Sequence, residues 1–210
     1  MAFLNDGEPP DEETVKAFRR ALAKRHPPFF EALIADARIT AGMRGERQHF
    51  RSTADALLQA VRLMWASDAF FAHAAYRAKA RLQGLGVPLL PRIFHRIAMR
   101  SAQVSIGDPV LMHPGVYIVH GQVVADGLVE IHSGAVLRPW ITIGLLGGSV
   151  EGPTIGRGAR IGTGAKVLGD ITVGEKANVG ANAVVIEDVP PGATVVGVPA
   201  KPVEKSTPLS

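Results

Sequence analysis

Residues 152–189 read GPTIGRGARIGTGAKVLGDITVGEKANVGANAVVIEDV, and a branched aliphatic residue recurs there every six positions. The six positions are Ile155, Ile161, Val167, Val173, Val179 and Val185. A spacing of six fits neither the 3.6-residue period of a helix face nor the two-residue period of a strand. It is typical of a parallel β-helix, in which each hexapeptide forms one short strand and one turn. The aliphatic side chains are therefore expected to stack inside a prism.

The same spacing extends upstream of this stretch, with one interruption. It runs through Val119, Ala125, Ile131, Leu137 and Ile143. Three hexads are expected to complete one coil, so that positions on one face recur every eighteen residues. Residues 145–154 (LLGGSVEGPT) lose the aliphatic spacing and contain adjacent glycines, so they are predicted to loop out of the prism. An excursion from a rigid scaffold is a common location for functional residues.

The segment before the repeats is predicted to form helices, with no strands between them. Helical patterns with caps and breakers cover roughly 11–25, 29–43, a segment from Ser52, 68–83 and 89–100. The predicted fold class is therefore α+β, an N-terminal helical domain followed by a parallel β-helix. Its expected divisions are a helical domain (1–102), a β-helix domain (103–203) and a tail (204–210). A solenoid end exposes strand edges, so the helical domain is expected to cap one end.

Composition excludes several classes of protein. The chain has 210 residues and no cysteine, which excludes a disulfide framework, a thiolate nucleophile and a cysteine-ligated zinc. The acidic N-terminal stretch lacks the apolar segment of a signal peptide, and no apolar run reaches transmembrane length, so a cytoplasmic protein without a membrane partner is expected. The net charge is +4, but the basic residues of the helical half form no dense run. A solvated helix surface is favoured there over a nucleic-acid partner.

Three histidines, His113, His120 and His132, lie in the repeat region. Such a trio resembles the zinc site of hexapeptide-type carbonic anhydrases. However, His120 and His132 are two hexads apart and are expected on different faces, so a zinc site would have to form across a subunit boundary. No metal is therefore expected.

His120 is the strongest catalytic candidate among these histidines. It occupies the turn position after Val119, where most repeats have glycine, so its imidazole is expected to point outward, toward a neighbouring subunit. Gly121 follows it and leaves room for a ligand. A histidine of near-neutral pKa is suited to remove a proton from an alcohol or amine. The alternative is a solvated turn histidine without a catalytic role.

The C-terminal motifs add a specific resemblance. The segments IGTGAKVLGDITVG (161–174) and VPPGATVVGVPAKPV (189–203) resemble the C-terminal part of serine O-acetyltransferases of the hexapeptide-repeat acyltransferase family. The resemblance covers roughly residues 70–205. It implies a left-handed β-helix, assembly into trimers or dimers of trimers, and acetyl-CoA bound in the groove between neighbouring prisms. The implied function is an acetyl-CoA-dependent O-acetyltransferase of the serine acetyltransferase type, acting on a small-molecule acceptor.

The resemblance also implies roles for individual residues. His120 matches the family's catalytic histidine and would act as the general base on the acceptor hydroxyl. Turns of the later coils and the closing segment would bind acetyl-CoA, with a backbone oxyanion donor in the excursion. These cofactor-binding candidates are Gly148, Thr163, Ala181, Pro199 and Lys201. Lys201 matches the basic residue near the CoA phosphate, and Pro199 would flank the adenine.

The chain departs from the serine enzymes around the catalytic histidine. They place Asp immediately before it and a second Asp fifteen residues before it, where this chain has Val119 and Ser105. They also carry His before the Pro-x-Ile-Gly motif, where this chain has Gly152. An acceptor with an ammonium group needs a carboxylate partner, so the missing acidic residue at Val119 weakens the case for serine itself.

Three other charged residues are candidates for the site. Asp108 is a possible substitute for the carboxylate that orients the imidazole. Asp68 is a candidate for the family's acceptor-binding carboxylate in the helical domain. Arg138 lies eighteen residues after His120 and is expected to bind an acceptor carboxylate or phosphate, or to pair with Glu130.

Two alternative functions stay open. One is a hexapeptide acetyltransferase acting on a sugar or a natural-product hydroxyl or amine. The other is a catalytically silent β-helix scaffold, which would need neither His120 nor the GVPAK ending. The C-terminal STPLS lacks the tail ending in isoleucine with which many serine enzymes dock into a sulfhydrylase, so no such complex is expected.

Overall fold

The computed structural model describes residues 12–147, 149 and 151–203. Within these residues, five helices precede fifteen short strands. The helices are α1 (Glu12–Arg25), α2 (Phe29–Met43), α3 (Thr53–Ala66), α4 (Asp68–Gly84) and α5 (Leu90–Ala102). The strands of the first two coils are β1 (Val104–Ile106), β2 (Leu111–Met112), β3 (Tyr117–Ile118), β4 (Val123–Ala125), β5 (Leu128–Ile131) and β6 (Val136–Leu137). Those that follow are β7 (Ile141–Gly144), β8 (Glu151–Ile155), β9 (Arg160–Ile161), β10 (Lys166–Leu168), β11 (Thr172–Val173), β12 (Asn178–Val179), β13 (Val184–Val185), β14 (Thr194–Val196) and β15 (Lys201–Pro202).

The strands form a three-sided solenoid. Sheet 1 has the order β1-β4-β7-β10-β13, sheet 2 has β2-β5-β8-β11, and sheet 3 has β3-β6-β9-β12-β14-β15. All pairs are parallel except β14 with β15, so the chain visits sheets 1, 2 and 3 in turn. Each visit adds one strand until the last coil, which passes sheet 2 through a single bridge between Val189 and Val173 and then adds β14 and β15 to sheet 3. We call the turn from sheet 1 to sheet 2 the first corner, the turn from sheet 2 to sheet 3 the second corner, and the turn from sheet 3 back to sheet 1 the third corner.

The predicted stack of aliphatic residues fills the prism. Ile155, Ile161, Val167 and Val173 are completely buried, and Val179 and Val185 are nearly so. Upstream, Ala125, Ile131, Leu137 and Ile143 are also completely buried. These residues join one continuous core, so the six-residue spacing correctly predicts the interior positions over most of the solenoid.

The spacing changes once, at the third corner of the first coil. Ile118, and not Val119, takes the interior position there, because Ile118 pairs with Leu137 and is buried whereas Val119 is partly exposed. The turn that follows contains an additional residue, so the first coil has nineteen residues rather than eighteen. The registers Ile106↔Ala125 and Ile118↔Leu137 both show this length. The prediction for Val119 and the prediction of a uniform eighteen-residue coil are therefore wrong here.

The interruption in the repeats is shorter than predicted. The excursion lies between β7 and β8 at the first corner, and β8 already begins at Glu151. Gly152 and Pro153 are therefore strand residues, both of them buried, and Thr154 pairs with Thr172. The excursion is thus bounded by Gly144, the last residue of β7, and Glu151, the first residue of β8.

The helical domain docks on the first coil through α4 and α5. One face of α4 packs with α2 and α3 around Leu33, Leu63 and Phe70. Its other face joins the solenoid core through Ala72, Tyr76 and their neighbours. The Tyr76 hydroxyl donates a hydrogen bond to the Val110 carbonyl at 3.0 Å. No helix in the described part of the chain is long and apolar enough to cross a membrane.

Candidate active site

The third corner holds His120 in a turn that is tied to the helical domain. His120, Gly121 and Gln122 all have positive φ values, 62°, 101° and 50°. Positive φ is uncommon for residues other than glycine and marks a constrained turn. The turn is held because Gln122 donates its backbone N–H to the carbonyl of Ala102, the last residue of α5, at 2.8 Å. The His120 side chain is exposed, as the sequence predicts for an outward-facing imidazole.

Gly121 allows this turn to lie close to α5. A Cβ atom at Gly121 would lie 2.2 Å from the Ala102 carbonyl oxygen, closer than any real Cβ contact. The same glycine has a φ that side-chain-bearing residues rarely adopt. The conformation that presents His120 therefore depends on the glycine that follows it.

Arg138 lies at the same corner, one coil further along. It follows Leu137, whose partner in the first coil is Ile118, so Arg138 is level with Val119 rather than with His120. Its side chain is exposed. The alternative pairing of Arg138 with Glu130 is not what the structure shows, because Glu130 lies on sheet 2 and its carboxylate contacts Arg25. His120 and Arg138 are thus brought to one corner on consecutive coils.

Thr163 and Ala181 occupy the third corner on the next two coils. Both are exposed, and the turns that carry them are joined because Asn182 donates its backbone N–H to the Thr163 carbonyl at 2.8 Å. Gly164 in turn donates to the Pro139 carbonyl at 2.9 Å. The turns are therefore stacked directly above one another, with small residues that leave the backbone accessible.

The closing segment completes this column of turns. Val184 of the previous coil donates its backbone N–H to the Gly197 carbonyl at 3.0 Å, which places the turn that contains Pro199 at the third corner. Lys201 is exposed, and its ammonium group lies 3.4 Å from Glu187 Oε2. Five turns, from that of His120 to that of Pro199, therefore follow one edge of the prism. With strands spaced about 4.8 Å apart, this column is about 19 Å long.

The first corner holds a second group of candidates. Asp108 is exposed, and its Oδ1 atom lies 2.9 Å from the ammonium group of Lys79. Lys79 is itself buried and donates to the Ile106 carbonyl at 2.6 Å. Ser105 and Asp108 line a surface pocket together with His95, whose pKa is lowered chiefly by partial burial and also by the charge of Lys79. The excursion leaves the solenoid at this same corner, and its predicted oxyanion donor, Gly148, lies outside the described residues.

The first and third corners do not meet within one subunit. His120 precedes β4 and Asp108 follows β1, the parallel partner of β4, so the two residues lie beyond opposite edges of sheet 1. Asp108 therefore cannot orient His120 in the same subunit, and the two would come together only between neighbouring subunits. The same holds for His120 and the excursion.

Asp68 lies apart from both corners. It is the first residue of α4, and Ser67 caps this helix by accepting a hydrogen bond from the Phe70 N–H. The depression around Asp68 is lined by residues of α3 and α4 alone, including Trp65 and Phe71. Within one subunit the structure does not bring Asp68 to the other predicted site residues.

The second corner holds a cluster of side chains that the sequence did not predict. His113 and His132 stack on each other with ring centroids 4.5 Å apart and planes 11° apart, and both lie beside Glu130. They are nineteen residues apart, so the assumption of an eighteen-residue coil does not predict that they occupy equivalent positions on consecutive coils. The signal was nevertheless present, because each histidine directly follows an interior aliphatic residue, Met112 or Ile131.

Comparisons with known proteins agree with this architecture. Residues 152–187 match the family model described as "Bacterial transferase hexapeptide (six repeats)". The chain is 41% identical over 134 residues to a serine acetyltransferase of Synechocystis sp., covering 62% of this chain and 54% of that protein. It is 40% identical over 125 residues to a serine acetyltransferase of Bacillus subtilis, covering 55% and 58%. The chain thus spans about half the length of the curated relatives it matches.

Solved structures extend the likeness to most of the chain. A soybean serine acetyltransferase complexed with serine is 26% identical, with a TM-score of 0.69, covering 90% of this chain and 83% of that one. A serine acetyltransferase from Vibrio cholerae is 25% identical, with a TM-score of 0.70, covering 97% and 75%. The predicted class, a helical domain followed by a left-handed parallel β-helix of hexapeptide repeats, is therefore confirmed. Within that class the chain is similar to serine acetyltransferases over the stretches given above, as the sequence motifs indicated.

Proposed function

We propose that this protein is an acetyl-CoA-dependent O-acetyltransferase of the serine acetyltransferase type. The observation that carries the proposal is the third-corner column. It begins at His120, continues through the turns of Thr163 and Ala181, and ends at Pro199 and Lys201. An extended acyl carrier lying along this edge would place its thioester beside an imidazole at one end and its phosphates beside a lysine at the other.

His120 acts as the general base in this proposal. It accepts the proton of the acceptor hydroxyl while that oxygen attacks the thioester carbonyl. The tetrahedral intermediate collapses by breaking the carbon–sulfur bond, and the CoA thiolate leaves with the proton that the imidazole holds. A backbone N–H stabilises the developing oxyanion, and the excursion around Gly148 would supply it.

A homotrimer, or a dimer of trimers, would complete the site. The first corner of one subunit would face the third corner of its neighbour, so that Asp108 and the excursion meet His120 across the boundary. A closed ring of three identical heterologous contacts gives one such site at each boundary. We further propose that this assembly is a cytoplasmic enzyme and that it has no nucleic-acid or membrane partner.

The acceptor is a small molecule with a hydroxyl group. The relatives named above favour L-serine, whereas Val119, Ser105 and Gly152 replace acidic or basic residues of the serine enzymes. Arg138, exposed on the coil next to His120, would bind an acceptor carboxylate or phosphate. A sugar or natural-product hydroxyl is the second candidate, favoured by the absence of a carboxylate at Val119.

The experiment is thiol release from acetyl-CoA, measured with L-serine and with a panel of hydroxyl and amine acceptors. We expect saturable turnover with at least one acceptor, and loss of that turnover in His120→Ala. Light scattering on the same preparation should give three or six times the 22.2 kDa of one chain. A monomer that transfers acetyl groups at full rate would contradict the inter-subunit site.

A further inference from the structure

The cluster at the second corner combines two imidazoles and a carboxylate from consecutive coils. His113 Nε2 lies 2.7 Å from Glu130 Oε1, and His132 Nε2 lies 3.8 Å from the same oxygen. One nitrogen or oxygen atom of each side chain falls within 4.8 Å of the other two. All three side chains are half-buried, with exposed fractions of 34%, 34% and 25% for His113, His132 and Glu130.

The scaffold beneath the cluster is rigid. His113 donates its backbone N–H to the Ile131 carbonyl at 2.8 Å, and His132 donates to the Ile155 carbonyl at 2.9 Å. Arg77, a buried residue of α4, donates to the His113 carbonyl at 2.8 Å. The two imidazoles therefore project from equivalent positions of successive coils. Hydrogen bonds to neighbouring backbone groups hold the main chain of both histidines in place.

The polar groups of the cluster are incompletely satisfied by one another. His113 is within hydrogen-bonding distance of Glu130 Oε1, but His132 Nε2, at 3.8 Å, is beyond it. Two ring nitrogens thus converge on a single oxygen that only one of them reaches. A cation placed among the three atoms would accept lone pairs from both rings and from the carboxylate at once.

We propose that His113, Glu130 and His132 bind a divalent transition-metal ion of the zinc class. Two histidine nitrogens and one carboxylate oxygen form a ligand set that Zn²⁺ uses when a fourth position is left to water or substrate. The partial exposure of all three ligands leaves such a position open. The absence of cysteine from the chain is no obstacle, since this set needs none.

Arg25 supplies the outer contact of the site. Its Nη2 atom lies 2.5 Å from Glu130 Oε2, the carboxylate oxygen that does not face the histidines. An outer hydrogen bond of this kind fixes the orientation of a ligating carboxylate.

This site is separate from the proposed catalytic site. It lies at the second corner, whereas His120 and the column that would bind acetyl-CoA lie at the third. A variant can therefore lose metal binding and keep acetyl transfer, or lose acetyl transfer and keep metal binding.

The test is titration of the chelator-treated, full-length protein with Zn²⁺, followed by calorimetry, and with Co²⁺, followed by visible absorption. We expect one ion per subunit and a d–d spectrum of nitrogen and oxygen ligation. His113→Ala, His132→Ala and Glu130→Gln should each weaken Zn²⁺ binding at least tenfold. His95→Ala and His120→Ala are matched controls that should bind as the wild type does.

A thermal measurement keeps the test decisive if a variant loses stability. Zn²⁺ should raise the Tm of the wild type, because an ion that binds only the folded state stabilises it. The same concentration should leave the Tm of folded Glu130→Gln almost unchanged. No stoichiometric binding by the wild type, or equal binding by the His113→Ala/His132→Ala double variant, would overturn the proposal.

Discussion

Arg77 Nε lies 2.8 Å from Asp36 Oδ2, and both side chains are buried where the helical domain meets the second corner of the solenoid. Asp36 also accepts backbone N–H bonds from Gly115 and Val116, at 2.8 and 3.2 Å. Arg77 further donates to the Met112 carbonyl. One buried ion pair therefore joins α2, α4 and the first coil.

Removing one member of this pair should be strongly destabilising. Asp36→Ala leaves the buried Arg77 guanidinium without its counter-charge, which typically costs about 3–5 kcal/mol. We expect that loss in the free energy of unfolding measured by urea denaturation. Glu175→Ala is the control, because Glu175 pairs with Lys176 at the surface and such pairs contribute about 1 kcal/mol or less. Equal losses in the two variants would contradict the role of Asp36.

Acid should destabilise the fold through a buried histidine, His73, and a half-buried one, His26. Burial lowers the pKa of His73 to about 4, with the Asp36 carboxylate opposing and Arg77 adding to the shift, and burial chiefly lowers the pKa of His26 to about 4. The unfolded histidines, with pKa values near 6.5, take up protons that the folded protein excludes. Stability is therefore fully present above about pH 6.5 and is lost as the pH falls toward 4.

The contribution of His73 to that loss should approach about 1.4 kcal/mol per pH unit within this window, and His26 should contribute less because solvent screens its shift. Urea denaturation between pH 7 and pH 4 measures it. His73→Gln should reduce the slope relative to the wild type, whatever its effect on stability at pH 7. A slope unchanged by this substitution would show that His73 does not contribute.

Gly121→Ala should impair catalysis more than it impairs folding. The added methyl group would meet the Ala102 carbonyl, so the turn must shift and carry His120 with it. Gly192→Ala is the matched control, because Gly192 also has positive φ, 71°, but nothing lies within 4 Å of an added Cβ. Both variants carry a backbone cost of about 1–2 kcal/mol. Only Gly121→Ala should reduce acetyl transfer, by roughly tenfold or more, in a thiol-release assay.

The sequence predicts the interior of the solenoid well because burial of Ile155 and its equivalents selects an aliphatic residue in every repeat. It does not predict the additional residue at the third corner, because a turn is set by local φ values and by contact with Ala102, which no periodicity records. That one residue changes the register of everything upstream. Because the first coil has nineteen residues, His113 and His132 occupy equivalent positions on consecutive coils. A uniform coil of eighteen residues would not place them in register.

Lys201→Ala should raise the KM for acetyl-CoA roughly tenfold and leave kcat near the wild-type value. A contact with the CoA phosphates lies far from the reacting carbon, so it is present equally in the ground state and the transition state. Lys176→Ala is a suitable control, because Lys176 is exposed but lies at the second corner. Initial rates over a range of acetyl-CoA concentrations separate the two constants. A fall in kcat at constant KM would contradict the placement of CoA along the third corner.

His120→Ala should lower kcat by roughly 10²–10⁴-fold, the usual contribution of a positioned general base, with the affinity for acetyl-CoA little changed. Calorimetric titration with CoA measures that affinity separately from turnover.

Asp108→Asn should lose part of the activity if Asp108 orients the imidazole of a neighbouring subunit. Mixing inactive His120→Ala with inactive or impaired Asp108→Asn subunits should then restore some activity, because a mixed trimer contains boundaries at which both residues are intact. No restoration after subunit exchange would mean that the two residues do not share a site.

Val119→Asp, which supplies the carboxylate that the serine enzymes carry at this position, should raise kcat/KM for L-serine relative to other hydroxyl acceptors. Efficient use of L-serine by the wild type would show instead that this carboxylate is not needed for the acceptor.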